Sequence, residues 1–248
     1  MKLLLLNGNT DAAITQRLAV AARAMCGDEI VPATARFGAR YIATRAASAI
    51  AAHAVLDLLA ERVGATNPEG FDAAIIACFG DPGLDAAREM LPIPVLGLAD
   101  ASIPASIRAA AHPLGGLRAP VVALLTGGTA WVPMLQEFAL LRGYAASQVR
   151  VAAVTPTGDM IAREPDRALD LLAEAAEEQV AAGADVVVLG GAGLVGLADR
   201  LQARVSVPVL DCLRVTLEAA QEARPGTTPM QPAPSLGLSA ALARALES

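Results

Sequence analysis

One segment of this chain occurs twice, and that repetition constrains the fold more than any other feature. Asp72-Ala-Ala-Ile-Ile-Ala-Cys78-Phe-Gly-Asp-Pro-Gly83-Leu84 aligns residue for residue with Asp185-Val-Val-Val-Leu-Gly-Gly191-Ala-Gly-Leu-Val-Gly196-Leu197. Asp72 falls on Asp185, Gly83 on Gly196 and Leu84 on Leu197, but Cys78 falls on Gly191. Each copy is a short apolar run that opens into small residues. This is the pattern of a strand buried on both faces with a ligand-accepting loop at its C-terminal end.

The surroundings repeat too. A first apolar run, 2–6, opens into Asn7-Gly8-Asn9-Thr10, and a fifth, 120–125, opens into Thr126-Gly127-Gly128-Thr129. Further strands are predicted at 28–33, 72–77, 94–98, 149–154, 185–189 and 207–210. Helical patterns lie between and after them, at 11–26, 44–63, 84–91, 100–111, 130–143, 165–182, 196–204, 213–223 and 237–247. Strands one and five correspond, as do three and seven, so a four-strand βα unit is duplicated. The expected architecture is α/β, with two pseudo-symmetric domains, each a four-stranded mainly parallel sheet flanked by helices. The first domain is expected to comprise 1–98 plus 207–248, with strand eight returning to it, and the second 99–206. The active site is expected in the cleft between them. The Pro-rich stretch 225–236 reads as a loop.

Composition narrows the function. The chain is 54% hydrophobic but only 3% aromatic, so its core is built from Ala, Val, Leu and Ile. A net charge of −6 without a basic cluster argues against nucleic acid or an anionic membrane as partner. The apolar runs fall short of the roughly 18–20 residues of a transmembrane helix. The run Leu3–Leu6 is too short for the roughly 7–15 residues of a signal-peptide core. An odd set of three cysteines points to free thiols in a reducing compartment, hence a cytoplasmic protein. Two histidines far apart give no metal-ligand spacing, so no metal is expected.

Ligands bind at the carboxyl ends of parallel strands, which brings forward four loops: 7–10, 78–83, 126–131 and 190–196. Cys78 is the leading chemical group. Placed before a helix, its thiol is expected to be shifted toward the thiolate from about 8.5. Asn9 and Thr10 offer amide and hydroxyl groups, with a turn and helix cap as the plain alternative. Thr126, Gly127 and Gly128 are the matching group in the second half. Cys212, after strand eight, is a possible second acid or base, with simple packing as the alternative. Asp81 and Asp211 are the carboxylates nearest these loops, and Asp81 equally suits a turn.

Together these residues resemble the aspartate/glutamate/hydantoin racemase superfamily, the hydantoin racemase branch most closely. Asn7-Gly8-Asn9-Thr10 is similar to its N-terminal signature, and Ala77-Cys78-Phe79-Gly80-Asp81-Pro82-Gly83-Leu84 to its first-cysteine segment. Phe37-Gly38-Ala39-Arg40-Tyr41-Ile42 is similar to a substrate-loop segment. The resemblance extends over about 1–220. It implies a cofactor-independent racemase in which one cysteine removes the proton beside a carbonyl and a second returns it from the other face. Cys78 matches the first cysteine and Gly191 holds the place of the second. The substrate-binding positions implied are Asn9, Thr10, Tyr41, Phe79, Gly80, Thr126, Gly127, Gly128 and Ala192. The partner is a small molecule, a hydantoin or amino-acid derivative, and the protein is expected to be a homo-oligomer. Two alternatives stay open: a single-cysteine decarboxylase of the arylmalonate type, and a non-catalytic small-molecule binding protein.

Overall fold

The computed structural model describes residues 1–114, 118–154, 165–226 and 230–247; part of the Pro-rich stretch 225–236 lies outside them. The chain divides into two units, Met1–Gly97 with Leu217–Ser248, and Leu98–Thr216.

The first unit runs β1 (Lys2–Asn7), α1 (Ala12–Met25), β2 (Glu29–Thr34), α2 (Arg45–Arg62), β3 (Ala73–Ile76), α3 (Leu84–Met90) and β4 (Val95–Gly97). Its four strands form one parallel sheet in the order β2-β1-β3-β4. Leu3, Leu4, Leu5 and Leu6 are fully buried, as are Ile75 and Ile76. Helices cover both faces, so β1 needs an unbroken apolar run rather than an alternating one. Each such leucine contributes roughly 1.5–3 kcal/mol. Pro32 is tolerated because β2 is an edge strand. Helix starts are set by side-chain caps: Asp11 accepts from Ala13 N and Ile14 N, and Thr44 from Ala47 N.

The second unit runs α4 (Leu98–Leu114), β5 (Val122–Gly127), α5 (Trp131–Leu141), β6 (Val149–Val154), α6 (Pro165–Ala181), β7 (Val186–Gly190), α7 (Ala198–Gln202) and β8 (Val209–Asp211). Its parallel sheet has the order β6-β5-β7-β8, the same topology as the first. Helix α8 (Cys212–Ala220) leads back into the first unit. There α9 (Ala240–Glu247) packs on α2 and buries Leu242 and Ala245.

The repeated aspartates have the same structural task. Asp72 Oδ2 accepts from Lys2 N at 2.7 Å while Asp72 N donates to Lys2 O. Asp185 Oδ2 accepts from Val121 N at 2.8 Å while Asp185 N donates to Val121 O. Each clasps the start of its strand to the start of the neighbouring one.

Strand eight was expected in the first domain. It instead pairs with β7, Val187 with Val209 and Leu189 with Asp211, and the first unit resumes only at Leu217. The physical reason is that the outer edge of β7 needs a partner as that of β3 does. Ala74 N donates to Pro94 O and Val187 N to Pro208 O, both at 2.9 Å. Ile93-Pro94-Val95-Leu96-Gly97 and Val207-Pro208-Val209-Leu210-Asp211 are therefore a further pair of equivalent segments, and Gly97 corresponds to Asp211.

Candidate active site

In each sheet the chain leaves the central pair of strands in opposite directions, from β1 to β2 and from β3 to β4, or from β5 to β6 and from β7 to β8. Such a switch point leaves a crevice beyond the carboxyl ends of the two strands. All four loops singled out in the sequence lie at these ends.

At the end of β1, side chains lock the loop. Asn7, buried, donates from Nδ2 to Asn9 Oδ1 at 2.8 Å and to Thr15 Oγ1 at 3.0 Å, and its Oδ1 accepts from Asn9 N. Asn9 Oδ1 also accepts from Asp11 N at 2.9 Å. A backbone N–H can only donate, so the oxygen of Asn9 must face it and the orientation of the amide is fixed. Among the described residues, Asn9 Nδ2 then has no protein acceptor, and it is not enclosed. Asn9 offers a preset donor. Thr10 N donates to Ala39 O at 3.1 Å, tying the segment that carries Tyr41 to this loop. Arg40, highly exposed, reaches Asp11 at 3.5 Å.

At the end of β3, among the described residues, the N–H groups of Cys78, Phe79 and Gly80 donate to no protein acceptor. A run of free amides is a site for an anion or a carbonyl oxygen. The turn then closes with Asp81 N donating to Cys78 O at 3.0 Å and Leu84 N to Asp81 O at 3.1 Å. Phe79 is buried, so it brings its amide rather than its ring to this surface.

The expected lowering of the Cys78 thiol is overturned. Helix α3 begins only at Leu84, so its dipole acts within a turn that Cys78 is not part of. Burial, and after it the negative charge of Asp81, push the thiol up to about 12. Cys78 therefore rests as a thiol.

Asp81 itself was undervalued by the sequence. It is buried and holds φ +48, the left-handed region that Asp tolerates better than most residues. A Cβ on Gly97 would lie 2.3 Å from Asp81 Oδ2 and 2.7 Å from its Cβ, so only glycine at the end of β4 admits this carboxylate. The signal was the Gly97–Asp211 correspondence, visible once the two Pro-Val-Leu segments are aligned.

The second unit repeats the design with other side chains. The N–H groups of Gly191, Ala192 and Gly193 also donate to no protein acceptor among the described residues. The turn closes with Leu194 N on Gly191 O at 2.9 Å and Leu197 N on Leu194 O at 3.2 Å. A Cβ on Gly191 would meet Thr126 Oγ1 at 3.8 Å, ordinary contact, but Gly191 sits at φ +125, which L-residues avoid. Thr126 Oγ1 has no hydrogen-bond partner among the described residues and is not enclosed. Gly127 continues β5, and Gly128 N donates to Val154 O at 3.0 Å. Asp211, buried, accepts from Gly196 N at 2.6 Å, Leu213 N at 2.9 Å and Arg214 N at 3.3 Å. Burial still raises its carboxyl above the ordinary range against those amides.

Cys212 is fully buried at the start of α8, which favours its packing role over that of a second acid or base. Cys26 caps α1 with its thiol on Ala22 O at 3.3 Å. Among the described residues no group of His, Cys, Asp and Glu could hold a metal ion, and no helix is long and apolar enough to cross a membrane.

Two four-stranded all-parallel sheets of one topology, each flanked by helices, define a duplicated α/β protein. The chain belongs to the Asp/Glu/hydantoin racemase family, whose model matches residues 3–220. It is 32% identical over 228 residues to the hydantoin racemase of Paenarthrobacter aurescens, covering 89% of this chain and 90% of that one. It is also 32% identical to the hydantoin racemase of a Pseudomonas species, over 85% of this chain and 81% of the relative. Among solved structures, allantoin racemase from Pseudomonas fluorescens superposes with a TM-score of 0.84 at 26% identity, covering 96% of this chain and 100% of that chain.

Proposed function

We propose that this protein is a cofactor-independent racemase or isomerase that moves a proton, through Cys78, at the carbon beside a carbonyl of a hydantoin or related amino-acid derivative. The observation that carries the reading is the free amide run that begins at Cys78 itself, at the β1/β3 switch point. Loss of a proton beside a carbonyl puts negative charge on the carbonyl oxygen, and preset N–H donors stabilise that charge. In this reading the amides of Cys78, Phe79 and Gly80 and the Nδ2 of Asn9 hold carbonyl oxygens at the switch point of the first unit, and the hydroxyl of Thr126 is a donor at that of the second. Thr10, Tyr41, Gly127, Gly128 and Ala192 shape the remaining surface. The names of the relatives support a cyclic amide as substrate. Gly191 supplies no acid or base, so proton transfer on one face depends on Cys78 and on the other face on solvent.

The test uses an enantiopure 5-substituted hydantoin in deuterated water. Exchange at the ring carbon is expected, with loss of optical rotation slower than exchange because the two faces are unequal. Absence of exchange with hydantoins, aspartate and glutamate removes the racemase reading. Release of carbon dioxide from an arylmalonate, without hydantoin exchange, reassigns the protein to the lyases.

A further inference from the structure

In the first unit, the end of α2, the loop that follows it and the C-terminal helix α9 line a surface cavity of about 350 Å³, within the roughly 300–1,000 Å³ of small-molecule sites. It shares no residue with the loops 7–10 and 78–83. Ala60, Val63, Ala241 and Ala245 supply apolar walls, and their small side chains leave the volume unfilled. The loop is bolted in place. Asn67 Nδ2 donates to Phe71 O at 2.8 Å, Asn67 Oδ1 accepts from Phe71 N at 3.0 Å, and Asn67 N donates to Val63 O at 2.8 Å. Glu69 accepts from Arg62 at 2.6 and 2.9 Å, and its carbonyl accepts from Lys2 Nζ at 2.8 Å. Such walls are formed before any guest arrives, which lowers the entropic cost of binding one.

Two kinds of polar group are left over here. Glu61 lines the cavity, but its carboxylate is engaged by Arg36 at 2.7 Å. Arg244, exposed on the last turn of α9, has no ion-pair or hydrogen-bond partner among the described residues. At the end of α2, Val63 N and Gly64 N both donate to Leu59 O, so the carbonyl oxygens of Ala60 and Glu61 receive no protein N–H among the described residues. Ala60 is buried, and an acceptor there calls for a donor from outside the helix. A Cβ on Gly64 would stand 3.1 Å from Ala60 O, so glycine leaves that oxygen uncovered. We propose that this cavity is a second small-molecule site, for an amino acid or N-acyl amino acid with an apolar side chain. The carboxylate pairs with Arg244, the N–H donates to the carbonyls that end α2, and the side chain lies against the alanine walls. The site is independent of the chemistry proposed for Cys78 and stands whether or not that reading holds.

The test titrates N-acetylleucine into the isotope-labelled full chain and follows the amide NMR shifts, up to about 20 mM, where a site of millimolar affinity is filled. Saturable shifts are expected at Gly64, Ala65 and Ala245. N-acetylleucinamide, which lacks the carboxylate, is expected to bind about tenfold more weakly, and Arg244→Gln to weaken N-acetylleucine by a similar factor, the worth of a hydrogen bond to a charged group. 4-Methylpentanoate, which lacks the N–H, is expected to bind more weakly than N-acetylleucine. Ala241→Leu changes no charge but fills the cavity and is expected to abolish the shifts; if it does not fold, Arg244→Gln, at an exposed position, decides. No shift at these residues, equal binding of the three probes, or unchanged affinity in Arg244→Gln overturns the proposal. Shifts confined to Cys78, Phe79 and Gly80 would place the probe at the β1/β3 switch point alone and overturn it as well.

Discussion

After β3 the chain turns through Cys78-Phe79-Gly80-Asp81, and after β7 through Gly191-Ala192-Gly193-Leu194, with the same closing bonds at positions one and four. Both turns leave their amides free, and both continue through a left-handed glycine, Gly83 at φ +78 and Gly196 at φ +86. The side chains differ at the positions that matter for chemistry. One turn has a thiol and a carboxylate; the other has glycine and leucine. The backbone differs as well, because Gly191 lies at φ +125 whereas Cys78 is not at positive φ. The lesson is that a duplicated scaffold keeps the same turn backbone, open amides included, in both units while a thiol and a carboxylate stand in only one.

The comparison breaks most sharply if Cys78 proves dispensable. Cys78→Ala is expected to reduce deuterium exchange on an active hydantoin by about a hundredfold or more, the usual contribution of a proton-transfer group. Cys212→Ala, at a fully buried packing position, is expected to cost about 1 kcal/mol of stability and leave exchange intact. Exchange rates and urea melts of the two variants measure this; the reverse pattern would make Cys212 the reacting group.

The two left-handed glycines are alike in conformation and unlike in surroundings. A Cβ on Gly83 would stand 3.2 Å from Ala52 O and 3.3 Å from Ala52 Cα, backbone that cannot easily move, whereas one on Gly196 meets nothing within 4 Å. Gly83→Ala is expected to cost about 2–3 kcal/mol and Gly196→Ala about 1 kcal/mol, the strain alone. Equal costs by thermal melting would mean that the packing of α2 against the start of α3 in the first unit is not specific.

Much of this was legible in the sequence, for reasons that these residues make plain. The run Leu3–Leu6 and the repeat at Asp72 and Asp185 gave the sheets, since burial on both faces and the strand-start clasp impose residue types at fixed spacing. The position of β8 was misread because a three-residue strand carries no signal of its own; its allegiance is set by the unpaired edge of β7. The thiol's location was legible, but its protonation was not. That depends first on burial, which the residue types around Cys78 do not specify, and Asp81, though present in the segment, equally suited a turn. The free amides were likewise invisible, because backbone groups are common to every residue type.

Gly191→Cys sharpens the comparison from the other side. Space is available, with Thr126 Oγ1 at 3.8 Å from the new Cβ, but φ +125 is unfavourable for any L-residue. A stability loss of about 1–2 kcal/mol is expected from that strain. If the ends of β3 and β7 serve the same substrate carbon, loss of optical rotation should rise relative to exchange. A variant that folds, exchanges normally and shows no such rise would separate the two strand ends functionally.

The smallest expected effect concerns two aspartates of the second unit, whose carboxyls move in opposite directions. The bidentate bond from Arg118, at 2.6 Å to each oxygen, holds Asp185 below its ordinary 3.8, with burial opposing and Val121 N assisting. A lowered folded-state value means that its stabilisation is present above about pH 4 and is lost as pH falls further. Arg118 is half exposed, so solvent screening limits this contribution to about 1 kcal/mol or less. Burial raises Asp211, with the amides of Gly196, Arg214 and Leu213 opposing. A raised value has the opposite consequence: the contribution is present below the ordinary 3.8 and is lost as pH rises through the folded-state value. Urea melts across this range should therefore show Asp185→Asn losing stability relative to wild type as pH rises from strongly acidic conditions. Asp211→Asn, lacking the ionisation that burial opposes, should gain relative to wild type over the same rise. Difference curves of the same sign would show that the amides around Asp211 outweigh its burial.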